Sequence, residues 1–182
     1  MNPPQLPALP PGAAASAEIF LQPGELWFGA SPACVRTLLG SCVAITLWHP
    51  QRKVGGMCHY LLPAPPTVRR GDDREPQSVA DGRYAEGAIN WFLECLRDLG
   101  APAKEFQVKM FGGGAQFTTS RGRIDGGIPD SNVAAGHTLL ARHGFVLSAE
   151  QIGGCGRRHV IFQLATGDVW IRHVATLMQE EV

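Results

Sequence analysis

The stretch Thr37 to Pro63, TLLGSCVAITLWHPQRKVGGMCHYLLP, decides how this chain is read. Within it two apolar segments, Cys42 to Trp48 and Val54 to Leu62, flank the turn His49-Pro50-Gln51-Arg52-Lys53, the pattern of a β-hairpin. Gly40-Ser41-Cys42 stands at its upstream end, a tight glycine approach that leaves a thiol at the mouth of a strand or helix. The downstream strand carries His59 behind Gly55-Gly56. Paired antiparallel about that turn, Cys42 and His59 fall near the same open end, because roughly seven residues separate each from the turn and a strand rises about 3.3 Å per residue. A free thiol titrates at about 8.5, and a neighbouring imidazole takes its proton and lowers that value. The thiolate then attacks a carbonyl carbon. Read as packing, the same pair would be a small apolar thiol and a hydrogen-bonded imidazole in adjacent strands.

The composition narrows the choice. A chain of 182 residues, 45% apolar, is long enough for one domain with a full core and too short for two. Sixteen basic and sixteen acidic side chains cancel, so no bulk field draws the protein onto nucleic acid or anionic lipid. No apolar run approaches the roughly 18 residues of a membrane span, and no basic region precedes an apolar leader. A cytoplasmic location is expected, with no membrane insertion. Cysteines at 34, 42, 58, 95 and 155 form no CxxC pair, which fits neither a disulfide framework nor a tetrahedral zinc site. Reduced thiols, no metal and no cofactor are the expectation. Clustered thiols at Cys34, Cys42 and Cys58 leave a redox sensor as a further reading.

Outside the hairpin, residues 1–17 hold five prolines in the first eleven positions and read as a tail, leaving 18–176 as the domain. Short strands are predicted at Glu18 to Gln22 and Glu25 to Phe28 around Pro23-Gly24. The mixed charge run Arg69 to Glu75 reads as a solvated loop or, more sharply, as a lid over the site. Asp81 is placed to cap a helix whose apolar stripe is Tyr84, Ala88, Trp91, Phe92, Cys95, Leu96 and Leu99, ended by Gly100. Gln107 to Phe111 is a buried strand running into Gly112-Gly113-Gly114, either a cradle for an anion or substrate backbone or a tight turn. No GK[ST] or GxGxxG spacing follows, so nucleotide binding is unsupported. Asp130 or Ser131 is placed to cap a second helix ending near Gly144. Strands follow at Phe145 to Gln151, Arg157 to Ala165 and Asp168 to Val174. His137, His143, His159 and His173 show no metal-ligand spacing. The element order indicates an α/β or α+β sandwich with a mixed sheet.

Taken together, TLLGSCVAI, GGMCHYLLP with its histidine seventeen residues after the cysteine, YAEGAINWFL, KMFGGGAQF, PDSNV and IGG-x-x-GRRHVIF with the TGDV turn resemble the chemoreceptor glutamine deamidase family, CheD. The likeness runs from about Gly24 to Val174. It implies an α/β/α sandwich similar to the catalytic domain of the cytotoxic necrotising factor toxins. It also implies a hydrolase of chemotaxis, a protein-glutamine glutaminase that converts glutamines on chemoreceptor helices to glutamate.

The family's catalytic group is a Cys, a His and a Thr. The matching positions are Cys42 and His59, with Thr37 third, although a one-residue change of register would put Arg36 there. Gly40 and Ser41 would form the oxyanion and substrate loop. Cys58, beside His59, is expected on the opposite face as a core thiol. Chemoreceptor cytoplasmic helices are the implied substrate and a CheC-type phosphatase a further partner. The alternative is a non-catalytic module that only docks on such a phosphatase or a receptor.

Overall fold

In a computed structural model the protein is described over residues 17–66, 81–115 and 127–175. The N-terminal tail, apart from its last residue, and the Arg69 to Glu75 run with its lid reading lie outside the described residues. The hairpin is present: β4 (Val43–His49) and β5 (Val54–Tyr60) pair antiparallel from Val43 opposite Tyr60 to His49 opposite Val54. His49, expected in the turn, instead closes β4. It is buried there against the Phe106 ring, with Nε2 3.0 Å from the Glu105 carboxylate.

Two sheets form. The larger has the order β2 (Leu26–Ala30), β5, β4, β6 (Gln107–Gly112), β7 (Leu147–Ile152). The smaller has the order β1 (Ala17–Phe20), β3 (Ala33–Leu39), β8 (Arg157–Gln163), β9 (Val169–Val174). Each is mixed, since β6 and β7 run parallel in the first and β1 and β3 in the second. β3 was not expected from the sequence. Its short ACVRTLL run carries Arg36 and Thr37 in the middle, and its partners lie at the two ends of the chain.

Period-two alternation along β4 explains the layering. Val43, Ile45 and Leu47 face one way, into a cluster with Cys58, Tyr60, Val108 and Met110 that is covered by α1 (Ala85–Leu99) and α2 (Ile128–Arg142). Ala44 and Trp48 face the other way, into a cluster with Met57 and Phe111 and with Val35, Leu39, Val160 and Phe162 of the smaller sheet. The layers are therefore helices, sheet, sheet. This corrects the α/β/α sandwich: both helices lie on one face of the five-stranded sheet, and the second sheet occupies the place a second helical layer would need.

Both helix starts also differ from expectation. Tyr84, in extended conformation, precedes α1 with no side-chain cap, and Asp81 instead binds the Arg83 guanidinium and its backbone N–H. The core-facing stripe of α1 is Ala85, Ala88, Ile89, Phe92 and Leu96, and Gly100 ends the helix in the left-handed region as expected. Each large apolar side chain buried there contributes about 1.5–3 kcal/mol. α2 starts at Ile128 after Gly127 with Pro129 in its first turn, so Asp130 and Ser131 lie inside it. A proline is tolerated there because the first N–H groups of a helix have no partner to lose.

Candidate active site

Among the described strands the chain crosses between the sheets four times, after β1, β2, β3 and β7. Three of those crossings, at residues 21–25, 40–42 and 153–156, gather at one end of the sandwich. The backbone bonds there record it: Leu21 N–H to Arg36, Gly24 N–H to His59, Gly114 N–H to Gly40 and Gly153 N–H to Gly112. Cys42 is the last residue of the corner that leaves β3 for β4. Ala44 pairs with His59, and Cys42, two residues before Ala44, packs on the same inter-sheet side. The thiol and the imidazole are thus diagonal cross-strand neighbours, a relation that spans about 7–8 Å at Cα and less between side chains.

Thr37 enters from the other sheet. Its hydroxyl is fully buried, donates to the Leu21 carbonyl at 2.9 Å, and lies 2.8 Å from His59 Nδ1. A hydroxyl has one proton. With that proton on the Leu21 carbonyl, Thr37 Oγ1 accepts from His59, so Nδ1 carries the ring hydrogen and Nε2 is the bare, basic nitrogen. Nε2 is buried and has no hydrogen-bond partner among the described residues. Arg36, one residue earlier, points to the outer face of the smaller sheet, where its guanidinium pairs with the Glu18 carboxylate. The two register alternatives therefore lie on opposite faces of β3.

Burial sets the protonation states. His59 is 1% exposed, and desolvation lowers its pKa to about 4, against smaller upward pulls from the Leu21 carbonyl and the Glu25 carboxylate. Burial pushes the Cys42 thiol up, partly offset by the Ser41 hydroxyl and the Cys42 backbone N–H. This corrects the expectation of a thiol lowered by its imidazole: the resting pair is neutral thiol and neutral imidazole. A neutral pair of this kind could attack only with proton transfer accompanying bond formation, as for a serine hydroxyl. Cys58 is fully buried on the helix side, its thiol pushed up to about 12 by burial.

The glycine run after β6 takes the close-approach role. Gly113 N–H bonds the Cys42 carbonyl and Gly114 N–H the Gly40 carbonyl, each at 2.8 Å. At Gly112, with φ 116°, a Cβ would stand 2.2 Å from the Cys42 carbonyl oxygen, so only glycine lets the strands meet there. On the other side, Asn132 of α2 is fully buried and donates from Nδ2 to the Ser41 carbonyl at 3.0 Å and the Leu61 carbonyl at 2.7 Å. Neither Asn132 nor the Leu21 carbonyl was singled out from the sequence. A main-chain carbonyl has no side-chain signature, whereas an asparagine on the inner side of a helix's first turns was a readable sign. Among the described residues no group of three or more His, Cys, Asp or Glu is placed to hold a metal ion.

The family described as "CheD chemotactic sensory transduction" matches residues 61–173, more than half of the chain. The chain belongs to the CheD family. "Probable chemoreceptor glutamine deamidase CheD 1" of Chromobacterium violaceum is 42% identical over 166 residues, 91% of this chain and 82% of that protein. "Probable chemoreceptor glutamine deamidase CheD 3" of Dechloromonas aromatica is 44% identical over 155 residues, covering 85% and 86%. The Pseudomonas savastanoi pv. phaseolicola relative, "Probable chemoreceptor glutamine deamidase CheD", is 45% identical over 158 residues, covering 86% and 85%. The family match begins two residues after His59. The first of these CheD relatives leaves only 182 − 166 = 16 residues of the chain uncovered, so its alignment spans the whole of the Thr37 to His59 stretch.

Proposed function

We infer that the chain is a chemoreceptor glutamine deamidase, a protein-glutamine glutaminase that turns glutamine side chains on chemoreceptor helices into glutamate during chemotaxis. The observation that carries this reading is the relay from the Leu21 carbonyl through the Thr37 hydroxyl to His59 Nδ1, which leaves Nε2 without a partner among the described residues, on a ring diagonal to Cys42 across the strands. As Cys42 Sγ bonds the side-chain amide carbon, His59 Nε2 takes the thiol proton and backbone N–H groups near Gly40 to Cys42 hold the oxyanion. His59 gives that proton to the amide nitrogen, the C–N bond breaks, ammonia departs and a thioester remains. Water, deprotonated by His59, then adds to the thioester carbon, and the C–S bond breaks to give glutamate and the thiol. Thiol and imidazole chemistry of this kind needs no metal or cofactor.

The same reading places the protein in the cytoplasm, where receptor helices are reached; no helix among the described residues is long and apolar enough to cross a membrane. It includes a CheC-type phosphatase as a docking partner, tested by co-purification. The likeness to the cytotoxic necrotising factor catalytic fold is tested by superposing the Cys-His-Thr geometry. The activity is tested by mass spectrometry of receptor peptides after incubation with the protein. A gain of about one mass unit per glutamine, the replacement of NH₂ by OH at the side-chain carbonyl, is expected. Receptor that is bound but unchanged would return the chain to the docking-module reading.

A further inference from the structure

Asn132 holds the site together from the helix side, and its bonding is one-sided. Among the described residues its side-chain contacts run from Nδ2, to the carbonyls of Ser41 and Leu61, while Oδ1 has no partner there. Ser41 immediately precedes the nucleophile and Leu61 lies two residues after His59, so one amide group ties the two arms of the site to each other. The helix is fixed in turn, because the Tyr60 hydroxyl donates to the Asn132 backbone carbonyl at 2.8 Å. Asn132 is fully buried.

The consequence follows from peptide geometry. Among the described residues the only cis peptide is Ser31-Pro32, so the Ser41-Cys42 unit is trans, with its C=O and N–H pointing in opposite directions. Asn132 draws the Ser41 carbonyl toward α2, on the helix side of the five-stranded sheet. The Cys42 N–H is thereby aimed away from α2, toward the inter-sheet side on which the Cys42 side chain packs. The influence of this N–H on the Cys42 thiol is consistent with that direction. The next carbonyl, that of Cys42, is already taken by Gly113 N–H, so the peptide planes on both sides of the nucleophile are pinned.

We propose that Asn132 is a positioning residue: by holding the Ser41 carbonyl it aims the Cys42 N–H as the donor that receives the negative oxygen of the tetrahedral intermediate. The proposal rests on the deamidase reading for its natural substrate, although the geometry serves any acyl group that reaches Cys42. A donor of this kind acts only where an oxyanion forms, and removing one typically lowers turnover about 10²–10³-fold.

Two reagents separate that role from a structural one. Acylation of Cys42 by p-nitrophenyl acetate passes through an oxyanion: the S–C bond forms, His59 takes the thiol proton and p-nitrophenolate leaves. Alkylation by iodoacetamide displaces iodide without an oxyanion. Asn132→Asp keeps the side-chain shape and removes both donors, and Asn132→Ala removes the group. Acylation is expected to fall about 10²-fold or more in either variant, while alkylation of Cys42 stays within about threefold of wild type. Parallel loss of both reactions, or loss of neither, overturns the proposal.

If neither variant folds, the wild-type protein decides the question through the amide proton of Cys42, followed by NMR as butanal forms a hemithioacetal on the thiol. A clear downfield shift supports the proposal, and an unmoved resonance overturns it. Failure of the deamidase reading would show separately, as a wild-type protein that is acylated by the ester yet leaves receptor glutamines unchanged.

Discussion

The two faces of the five-stranded sheet share their strands and differ in what covers them. On the helix side Val43, Ile45, Leu47, Cys58, Val108 and Met110 meet α1 and α2 in an apolar cluster. On the sheet side, Thr37, His59 and Arg158 are buried beside Val35, Leu39 and Phe111. A helix closes most of its backbone hydrogen bonds internally, so its flank offers buried polar side chains few backbone acceptors, and the Asn132 carbonyl that takes the Tyr60 hydroxyl is such a case. A second sheet brings its ends and crossing segments, and with them carbonyls such as that of Leu21, which satisfy Thr37 and, through it, His59. The proposed chemistry sits on the side where a backbone carbonyl fixes His59 through Thr37.

The largest expected effect in breaking this comparison is that of Cys42→Ala. It removes the proposed nucleophile and only a few half-buried atoms, so deamidation should fall about 10⁴-fold or more with the melting temperature nearly unchanged. Ammonia release and thermal unfolding measured on one preparation check it, and product formed at the wild-type rate would end the proposed mechanism. Thr37→Ala comes next. Loss of the acceptor for Nδ1–H frees the imidazole tautomer, so kcat should drop on the order of 10²-fold with KM little changed. A Thr37→Ala enzyme with wild-type turnover would mean that something else orients His59.

The third test uses acid. His59 is held neutral in the fold with a pKa of about 4 and titrates near 6.5 once unfolded, so between those values only the unfolded chain carries the extra proton. The stability due to neutral His59 is whole above about pH 6.5 and is lost as the pH falls to about 4, by about 3 kcal/mol. Denaturant unfolding across that range should show this slope, reduced in His59→Gln. A slope unchanged in His59→Gln would place the sensitive group elsewhere.

On the opposite face, Cys58→Ser should act on stability alone. A hydroxyl buried among apolar side chains without a partner costs about 1–3 kcal/mol, while the folded variant should deamidate at the wild-type rate. Smallest is Arg36→Ala, which lies across β3 from the site. Its turnover should stay within about threefold of wild type, and any effect on KM should shrink in high salt. A kinetic loss equal to that of Thr37→Ala would erase the distinction between the two faces of β3.

What the sequence revealed was local. The hairpin, the opposed directions of Cys58 and His59, and the diagonal approach of Cys42 to His59 all follow from period-two alternation within one short stretch. The layering did not, because whether helices or a second sheet cover a strand's far face depends on partners such as β8, more than a hundred residues from β3 in the chain. The start of α2 was misread because Asp130 and Ser131 have capping side chains, yet Pro129 already lies in the first turn. The direction of the Cys42 pKa was missed for a related reason: an imidazole nearby is visible in sequence, while the depth of burial is set by the other sheet. The orientation of Thr37 toward His59 came from family resemblance, and only the structure shows the Leu21 carbonyl on which its geometry turns.

The gathering of three sheet-to-sheet crossings at the Cys42 end has a consequence for how the chain could be cut. New termini between Gly40 and Cys42, in the 21–25 segment or in the 153–156 segment would each release a backbone that frames the proposed nucleophile. The turn after His49 lies about 20 Å away along β4 and carries no crossing. A circular permutant opened there, with the original ends joined by a linker, keeps every chain passage at the site intact, which makes Pro50 to Arg52 the position from which to re-thread this fold.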